Sequence, residues 1–316
     1  MDQVTLGNTG IKVSRLCFGV LTIGPLQTNL PVEDGAALLV HAIDRGITFF
    51  DTAQQYQTYP YIRQAIKMSG YRDMIISTKS YAATLKTVAK ALDEARRELD
   101  RDYIDIFLMH EHESEHTLRG HQEAMEYLLE QKQRGVIRAV GASTHRVAGV
   151  KGTIKFGLDI IHPLLNLDGI GIADGSREDM EREVKLAHEK GMGIFLMKTL
   201  GGGTLFRKAE QCLQYARSLP YAHSIAIGMQ SVNEIDANVD FFEGKGFSSA
   251  AKSDIENRER RLLISEWCTG CAACINRCRQ DALSLNENNV AVYDEKRCIL
   301  CGYCAGACPI LAIKIV

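Results

Sequence analysis

Two runs of closely spaced cysteines decide the organisation of this chain: Cys268-Thr-Gly-Cys271-Ala-Ala-Cys274-Ile-Asn-Arg-Cys278 and Cys298-Ile-Leu-Cys301-Gly-Tyr-Cys304-Ala-Gly-Ala-Cys308. Each run has the spacing Cys-x2-Cys-x2-Cys-x3-Cys, and the second begins 30 residues after the first. Short apolar stretches follow the runs at Ala282–Leu285 and Ala312–Ile315, and we expect each to form a strand. A pattern that recurs at a fixed period indicates a repeated unit, which the sequence places at residues 264–316.

The distribution of cysteine favours a metal centre over disulfide bonds. Of the ten cysteines, only Cys17 and Cys212 lie outside the two runs. The N-terminus lacks the basic and apolar regions of a secretory signal, and disulfides belong to oxidising compartments. Zinc sites usually use Cys-x2-Cys pairs separated by about a dozen or more residues. We therefore predict two 4Fe–4S clusters, with zinc and disulfides as the alternatives.

The spacing resembles that of bacterial-type ferredoxins that hold two clusters. In that family three cysteines of a run bind one cluster, and the fourth cysteine binds the other. The resemblance implies that one cluster takes Cys268, Cys271, Cys274 and Cys308, and that the other takes Cys298, Cys301, Cys304 and Cys278. Arg279 stands where the family usually has proline, which alters the local turn but not the number of ligands.

Charge and hydropathy argue against two classes of partner. The net charge is −2, which provides no electrostatic reason to expect nucleic acid or an anionic membrane. The sequence contains no uninterrupted apolar run of the roughly 18 residues that a membrane span requires. Together with the missing secretory signal, these features predict a cytoplasmic protein.

Residues 1–245 alternate short apolar strands with longer amphipathic helices. A hairpin at Val4–Leu6 and Lys12–Ser14 precedes eight predicted strands. These are Leu16–Val20, Thr48–Asp51, Met74–Thr78, Ile104–His110, Ile137–Ala142, Gly157–His162, Gly193–Met197 and Ser224–Ile227. The alternation predicts a parallel α/β sheet, and the length suits closure into a (β/α)8 TIM barrel. A doubly wound open sheet is the alternative, but no Gly-x-Gly-x-x-Gly follows the first strand.

A polar segment separates the two units. Residues 246–263 are rich in glycine, serine and charged side chains, and we expect a loop followed by a helix from about Ser253. We therefore predict a barrel at residues 1–245, a linker at 246–263, and a small α+β ferredoxin-like iron–sulfur domain at 264–316.

A series of motifs along the predicted barrel resembles the aldo/keto reductase superfamily. In chain order they are Leu6–Gly19, Asp51-Thr-Ala-Gln-Gln-Tyr56, Ile76–Lys79, Asp105–His110, Gly141–Thr144, Leu200–Gly203 and Gly228–Asn238. They cover nearly all of residues 1–242, and their order carries the resemblance. It implies an oxidoreductase whose catalytic residues are Asp51, Tyr56, Lys79 and His110.

The same four residues suit the chemistry of carbonyl reduction, which needs a proton donor at the carbonyl oxygen. A tyrosine with its ordinary pKa of about 10 is protonated at neutral pH and can donate. Tyr56 would be this acid, with the Lys79 ammonium stabilising the phenolate and Asp51 holding the lysine. His110 would orient the carbonyl. All four lie at or just after the carboxyl ends of predicted strands, where barrel enzymes build their sites.

The resemblance also implies a nicotinamide cofactor, NAD(P)H. Its predicted contacts are Gly19, Ser143, Asn166, Gly201, Gly202, Gly203, Gly228, Gln230, Ser231 and Asn238. The glycine turn at 201–203 would let the backbone approach a pyrophosphate, although a plain turn is the alternative. Relatives that use NADPH carry basic residues after the eighth strand, whereas residues 228–238 contain none and include Glu234. We therefore expect NADH to be favoured over NADPH.

Two departures from the family pattern concern the substrate side of the predicted site. Residues 110–116 read His-Glu-His-Glu-Ser-Glu-His, where the family usually places an aromatic residue or proline after its histidine. We interpret this segment as a polar substrate loop, with a divalent metal site as the alternative. Gln57 also replaces the usual glycine after the tyrosine. Both changes point to substrates other than the family's usual ones.

The two predicted domains transfer electrons in different numbers, because clusters pass one electron at a time and nicotinamide carries a hydride. A bound flavin could reconcile them, although no dedicated flavin domain is visible. Our leading hypothesis is an oxidoreductase that converts a small carbonyl or alcohol substrate while its clusters exchange electrons with an external redox carrier. The alternative is an electron-transfer protein in which the barrel serves mainly for docking or regulation.

Overall fold

The computed structural model of the protein describes residues 1–316 and contains a closed barrel of eight parallel strands. After the hairpin strands β1 (Gln3–Thr5) and β2 (Lys12–Ser14), the barrel strands are β3 (Leu16–Gly19), β4 (Phe49–Asp51), β5 (Ile75–Ser80), β6 (Ile104–Met109), β7 (Ile137–Thr144), β8 (Ile160–Pro163), β9 (Gly193–Leu196) and β10 (Ser224–Ile227). They pair in the order β10-β3-β4-β5-β6-β7-β8-β9, and the ends of this list meet. The predicted (β/α)8 barrel is confirmed, and the open-sheet alternative is wrong.

Helices cover the outside of the barrel. They are α1 (Val32–Asp44), α2 (Tyr59–Ser69), α3 (Leu85–Leu99), α4 (Glu115–Gly120), α5 (Gln122–Gln133), α6 (Val147–Lys155), α7 (Arg177–Glu189), α8 (Ala209–Ser218) and α9 (Val232–Phe242). In α3, Val88, Leu92 and Leu99 fall on one face and are buried against the sheet. The Thr84 side chain caps the start of this helix, and Asp100 ends it in a left-handed conformation. None of the helices is long and apolar enough to cross a membrane.

The N-terminal hairpin closes one end of the barrel. Leu6, Ile11 and Val13 are fully buried among the side chains that fill the barrel interior. The hairpin turn lies so close to the start of β9 that a Cβ on Gly7 would be 2.4 Å from the Gly191 carbonyl oxygen. Because this end is filled, a site can open only at the carboxyl ends of the strands.

The residues after the barrel form short elements around the two cysteine runs. They are α10 (Ser249–Asn257), β11 (Leu262–Ile264), α11 (Ala273–Arg277), β12 (Leu283–Leu285), β13 (Ala291–Tyr293), α12 (Tyr303–Ala307) and β14 (Ile313–Ile315). β11 pairs with β14, and β12 pairs with β13, both antiparallel. The strands expected after the cysteine runs are β12 and β14, whereas β11 and β13 were not predicted, since three residues carry little periodic signal. A small α+β domain therefore follows the barrel, as predicted.

The linker helix α10 differs from its predicted position. The sequence placed its start near Ser253, but the helix begins at Ser249. The reason is local, because the Ser248 side chain accepts a hydrogen bond from the Ala251 backbone N–H at 3.1 Å and so caps the helix four residues earlier. Arg258 is extended and ends the helix.

The last strand packs against the glycine turn that follows β9. The Ile315 N–H donates to the Gly202 carbonyl oxygen at 3.2 Å. A Cβ on Gly203, whose φ is +87°, would lie 1.9 Å from the Ile315 carbonyl oxygen. The Arg207 guanidinium also donates to the Leu300 carbonyl oxygen at 3.2 Å. The lack of a side chain in the turn lets the C-terminal domain lie against the barrel mouth.

Replacing Gly203 by alanine is expected to loosen this contact between the domains. The new methyl group would overlap the Ile315 carbonyl oxygen, and such overlap costs about 1–3 kcal/mol. Gly157→Ala is the matched control, because Gly157 has a φ of +66° but its Cβ would have no atom within 4 Å. We expect Gly203→Ala to have the lower thermal midpoint and faster protease cleavage within residues 246–260. Equal cleavage rates in the two variants would show that this contact does not hold the domain in place.

Candidate functional site

A cavity of about 880 Å³ lies between the carboxyl ends of the barrel strands and the C-terminal domain. Asp51 and Tyr56 line it on the barrel side, and Cys298, Leu300 and Val316 line it from the C-terminal domain. Cavities of several hundred Å³ accommodate cofactors and small-molecule substrates. The predicted catalytic and cluster-binding regions therefore share one cavity.

Asp51 and Lys79 form an ion pair at the ends of β4 and β5. The Lys79 Nζ donates to Asp51 Oδ2 at 2.7 Å and to the Thr52 carbonyl oxygen at 2.8 Å, and both charged side chains are buried. Burial by itself would raise the pKa of Asp51, but the Lys79 ammonium and His162 outweigh it and lower that pKa to about 2. Asp51 is therefore ionised at neutral pH. Its Oδ1 has no hydrogen-bond partner in the protein.

Tyr56 lies above this pair at the cavity wall. The Lys79 Nζ is 4.9 Å from the centre of its ring and makes no hydrogen bond to its hydroxyl. Desolvation, together with the Asp51 and Glu111 charges, raises the pKa of Tyr56 well above its usual value. The hydroxyl is therefore protonated at neutral pH. The sequence analysis expected the Lys79 ammonium to stabilise the phenolate, and the structure places this ammonium over the tyrosine ring.

His110 follows β6 and is buried beside the tyrosine. Its ring stacks on Tyr81 at 4.3 Å between centres and meets the Tyr56 ring edge-on at 5.7 Å. Burial and the Lys79 ammonium hold the pKa of His110 well below its usual range, so the imidazole is neutral. Its Nδ1 is buried without a partner. The structure thus brings together the four residues expected to be catalytic.

His162 is a fifth member of this cluster that the sequence analysis did not single out. It lies in β8, with its Nε2 3.6 Å from Asp51 Oδ2 and its Nδ1 2.6 Å from the Phe195 carbonyl oxygen. Burial lowers its pKa even though Asp51 acts in the opposite direction. The available signal is that a polar residue ends the sixth predicted barrel strand, at the edge of the barrel where active sites are built.

The predicted nucleotide contacts divide into two groups. Those that line the cavity are Gly19, Gly202, Gly203, Gly228, Gln230 and Asn238. Those that do not line it are Ser143, Asn166, Gly201 and Ser231. The strand-end glycines and the start of α9 are therefore placed where a nucleotide could reach them.

The polar side chains of the second group are engaged in local structure. The Ser143 Oγ accepts from the Glu111 N–H at 2.9 Å. The Asn166 side chain donates to the Ile170 carbonyl oxygen at 2.8 Å and accepts from its N–H at 2.9 Å. Ser231 caps the start of α9. The glycine turn at 201–203 packs against β14, the last strand of the chain. The sequence analysis expected a pyrophosphate to approach the backbone at this turn.

A cation that the sequence analysis did not anticipate lies at the start of α9. The Arg258 guanidinium, which follows α10, forms an ion pair with Glu234 and donates to the Ser231 Oγ at 3.0 Å. Residues 228–238 do lack Lys and Arg, but the linker folds back and supplies Arg258 from outside that segment. Arg258 is already paired with Glu234, so its charge is largely compensated.

The structure shows the conformation of Gln57 and the contacts of residues 110–116, the two departures from the family pattern. Gln57 ends a short 3-10 turn with a φ of +57°, the left-handed conformation in which glycine is favoured. In residues 110–116, Glu115 pairs with Lys155 at 2.7 Å, and His112 packs against His121. The carboxylates and imidazoles of this segment do not converge to hold a metal ion. The metal alternative for this segment therefore has no geometric support.

The first cysteine quartet surrounds a common hollow in the C-terminal domain. The residues that line it include Cys268, Cys271, Cys274 and Cys308, which are the ligands expected for one cluster. The Ala312 N–H donates to Cys308 Sγ at 3.2 Å. A quartet spread around a hollow is what a multi-atom cluster needs, whereas a single zinc ion requires four sulfurs about 2.3 Å from one point.

The second quartet lies at the side of the domain that faces the barrel. Cys304 is buried with Cys301 and Cys298 nearby, and burial raises its pKa to about 11. Cys278 packs at the edge of the same small apolar core as Cys304. Cys301 is exposed, as is Cys271 of the first quartet. Each predicted cluster site therefore has one cysteine at the protein surface.

Comparison with known families finds one match in each part of the chain. The model of the aldo/keto reductase family matches residues 15–211. The model of the 4Fe-4S dicluster domain matches residues 267–312.

Individual proteins are also similar to this chain. L-galactose dehydrogenase of Arabidopsis thaliana is 25% identical over 317 residues, which covers 84% of this chain and 96% of that protein. A probable voltage-gated potassium channel subunit beta of the same plant is 25% identical and covers 66% of each chain. Among solved structures, a Bacillus halodurans aldo-keto reductase in its holo form has a TM-score of 0.65 at 21% identity, covering 81% of this chain and 95% of that one. A Bombyx mori aldo-keto reductase in complex with NADP has a TM-score of 0.62 at 15% identity, covering 80% and 91%.

Replacing Asp51 by asparagine is expected to leave the Lys79 ammonium buried without its carboxylate. Removing one partner of a buried ion pair costs about 3–5 kcal/mol, whereas removing both charges is often close to neutral. In urea unfolding followed by circular dichroism, Asp51→Asn should therefore be less stable by about this amount. The double variant Asp51→Asn/Lys79→Met should recover most of the loss. A double variant as unstable as the single one would show that the two charges are not energetically coupled.

Proposed function

Since the chain belongs to the aldo/keto reductase family and carries a 4Fe-4S dicluster domain, we propose that it is an iron–sulfur oxidoreductase that reduces or oxidises a small carbonyl or alcohol substrate. The observation that carries this proposal is the cavity itself. Its wall includes Asp51 and Tyr56 from the barrel and Cys298 from the second cysteine run. A substrate at the tyrosine would therefore lie in the same enclosure as one of the clusters.

Tyr56 would be the proton donor in the reducing direction. Its raised pKa keeps the hydroxyl protonated at neutral pH, as a donor to a carbonyl oxygen requires. The Lys79 ammonium, 4.9 Å from the ring centre, would stabilise negative charge that develops on the ring as the proton leaves. Asp51 holds the lysine in place through their ion pair, and the neutral His110 would donate or accept a hydrogen bond at the substrate oxygen. In the oxidising direction the same groups would accept the proton from an alcohol.

The cavity also fits a nicotinamide cofactor, which supplies or accepts the hydride when bound. Its volume suits a dinucleotide, and Gly19, Gly228, Gln230 and Asn238 lie along its wall. A preference for NADH over NADPH stays a prediction. Glu234 already pairs with the Arg258 guanidinium, so Arg258 has little charge to offer a 2′-phosphate. Arg260 lines the same cavity and would be the arginine that contacts a phosphate.

The C-terminal domain would hold two 4Fe–4S clusters in its interleaved cysteine quartets. The exposed Cys271 and Cys301 would bring one edge of each cluster to the surface, where an external redox carrier could exchange electrons. Transfer between one-electron clusters and a two-electron substrate needs an intermediary, and the cavity is large enough for a flavin to serve.

Replacing Tyr56 by phenylalanine tests the proposed chemistry. Loss of the proton donor should lower the kcat of NAD(P)H-dependent aldehyde reduction by about 100- to 10,000-fold. Reduction of the clusters by dithionite, followed by absorbance, should be unchanged. Tyr59→Phe is the control, because Tyr59 is also buried and bonds Thr78 Oγ1 at 2.7 Å, away from the cavity. Retained activity in Tyr56→Phe would exclude the assigned role of Tyr56. Absence of aldehyde reduction in the wild type, with clusters that dithionite still reduces, would favour an electron-transfer protein with a docking barrel.

Metal analysis tests the cluster proposal. An anoxic preparation should contain about eight iron and eight acid-labile sulfide atoms per chain, and it should show a 4Fe–4S electron paramagnetic resonance signal after reduction. Cys308→Ser should lower the iron content, whereas Cys212→Ser should not, because Cys212 is buried in the barrel part. Zinc in place of iron would contradict the proposal.

A further inference from the structure

Two lysines line the cavity beside Asp51 and Tyr56 without a role in the chemistry described above. Lys198 follows β9 and has a φ of +55°, while Lys314 comes from β14 of the C-terminal domain. The two domains therefore each contribute one ammonium group to the same enclosure. Like charges placed together in a partly desolvated cavity repel each other unless an anion lies between them.

Lys198 is held by a neutral group and not by a carboxylate. Its Nζ donates to the His145 Nε2 at 2.9 Å. Burial and this ammonium keep the pKa of His145 well below its usual range, so the imidazole accepts the hydrogen bond without carrying charge. The Glu111 carboxylate lies 3.5 Å from the same Nε2 without forming a salt bridge to Lys198, and it accepts a hydrogen bond from the Tyr81 hydroxyl at 2.6 Å. The Lys198 charge is oriented but not paired.

The positive charge of Lys314 is compensated even less than that of Lys198. Its ammonium makes no hydrogen bond or salt bridge within the protein, and it lies over the Trp267 ring, 5.1 Å from Nζ to the ring centre. Burial lowers the pKa of Lys314. Burial, Lys314 and Lys79 lower the pKa of Lys198 to about 8, with Glu111 acting in the opposite direction. The Lys314 charge therefore acts on Lys198.

Neither of these two lysines has a carboxylate within salt-bridge distance. Asp51 compensates Lys79 directly through their ion pair. The Lys198 ammonium instead contacts His145, and the Lys314 ammonium makes no ion pair, while the exposed Glu111 acts on both lysines from a greater distance. Two ammonium groups without a salt-bridge partner in one cavity suit a bound anionic group.

We propose that Lys198 and Lys314 together bind a carboxylate of the substrate, so that the substrate is a carbonyl or alcohol compound that carries a carboxylate group. This inference rests on the proposed function and adds the class of substrate. It also gives the C-terminal domain a part in substrate recognition, because Lys314 completes the site from β14. A carboxylate held here leaves the reacting carbonyl of the same molecule free to meet Tyr56 in the same cavity.

The position of His145 separates Lys198 from part of the predicted nucleotide site. Lys198 bonds His145, which follows β7, on the opposite side of the barrel from β3. The predicted nucleotide contacts Gly19 and Gly228 lie at the ends of the neighbouring strands β3 and β10, across the mouth from His145. The predicted contacts Gly202 and Gly203 come soon after Lys198 in the chain, and a Cβ on Gly202 would lie 3.6 Å from the Lys314 side chain. The test therefore also distinguishes a substrate carboxylate from a cofactor phosphate.

A matched pair of aldehydes tests this proposal in the full protein. The probes are 4-carboxybenzaldehyde and its methyl ester, methyl 4-formylbenzoate, which differ in charge but share the reacting group. The ratio of kcat/KM for the acid to that for the ester should be well above one in the wild type. It should fall about 10- to 100-fold in Lys198→Met and in Lys314→Met, as expected for a charge-assisted hydrogen bond. Lys296→Met, on the exposed surface of the same domain, should keep the wild-type ratio.

Several outcomes would overturn the proposal. One is a wild-type ratio of one or less, and another is a ratio that neither lysine substitution changes. An equal loss of both aldehydes, together with weaker NADH or NADPH binding, would assign the lysines to cofactor phosphates instead. Binding measured by calorimetry separates this inference from the proposed activity, since benzoate and its neutral analogue benzamide need no turnover. Benzoate binding that exceeds benzamide binding and is lost in both variants would support the site even if neither aldehyde were reduced.

Discussion

The contact between the glycine turn after β9 and the last strand of the chain determines how the two domains work as one structure. Because Gly203 has no Cβ, the Ile315 carbonyl oxygen can lie against the turn. The Ile315 N–H then donates to the Gly202 carbonyl oxygen. A side chain at this position would push the C-terminal domain away from the barrel mouth. The cavity, the position of Cys298 in its wall and the approach of Lys314 all depend on that close packing.

The electrostatics of the cavity follow from a balance between burial and pairing. Asp51 stays ionised although it is buried, because the Lys79 ammonium lies in contact with it. The histidines around them are neutral, since burial and nearby ammonium groups disfavour a further positive charge. Tyr56 keeps its proton for the opposite reason, because burial and carboxylates disfavour a phenolate. The result is a proton-donating surface next to two lysines that lack carboxylate partners.

Much of the candidate site could be predicted because its residues are tied to strand ends or to a strict spacing. Asp51, Lys79 and His110 each end a strand or directly follow one, and parallel strands of a closed barrel bring their carboxyl ends together. His162 occupies an equivalent position, but nothing in its local sequence separates a histidine facing the cavity from one packed in the core. Lys198 could not be predicted as a site residue, because its position in the cavity is defined by His145 and Lys314, which lie far from it in sequence. Arg258 falls in a linker that composition alone describes as polar and exposed.

By itself, the sequence determined the eight-stranded barrel, the small α+β domain after it and the two cysteine runs, since these depend on periodicity and spacing between near neighbours. Tertiary structure alone decided how the domains meet and which of the predicted nucleotide contacts line the cavity. It also placed β14 against the glycine turn. It also decided which charges are left without a partner. The physical reason is that docking and charge compensation depend on distances between residues up to about two hundred positions apart, and no local pattern encodes those distances.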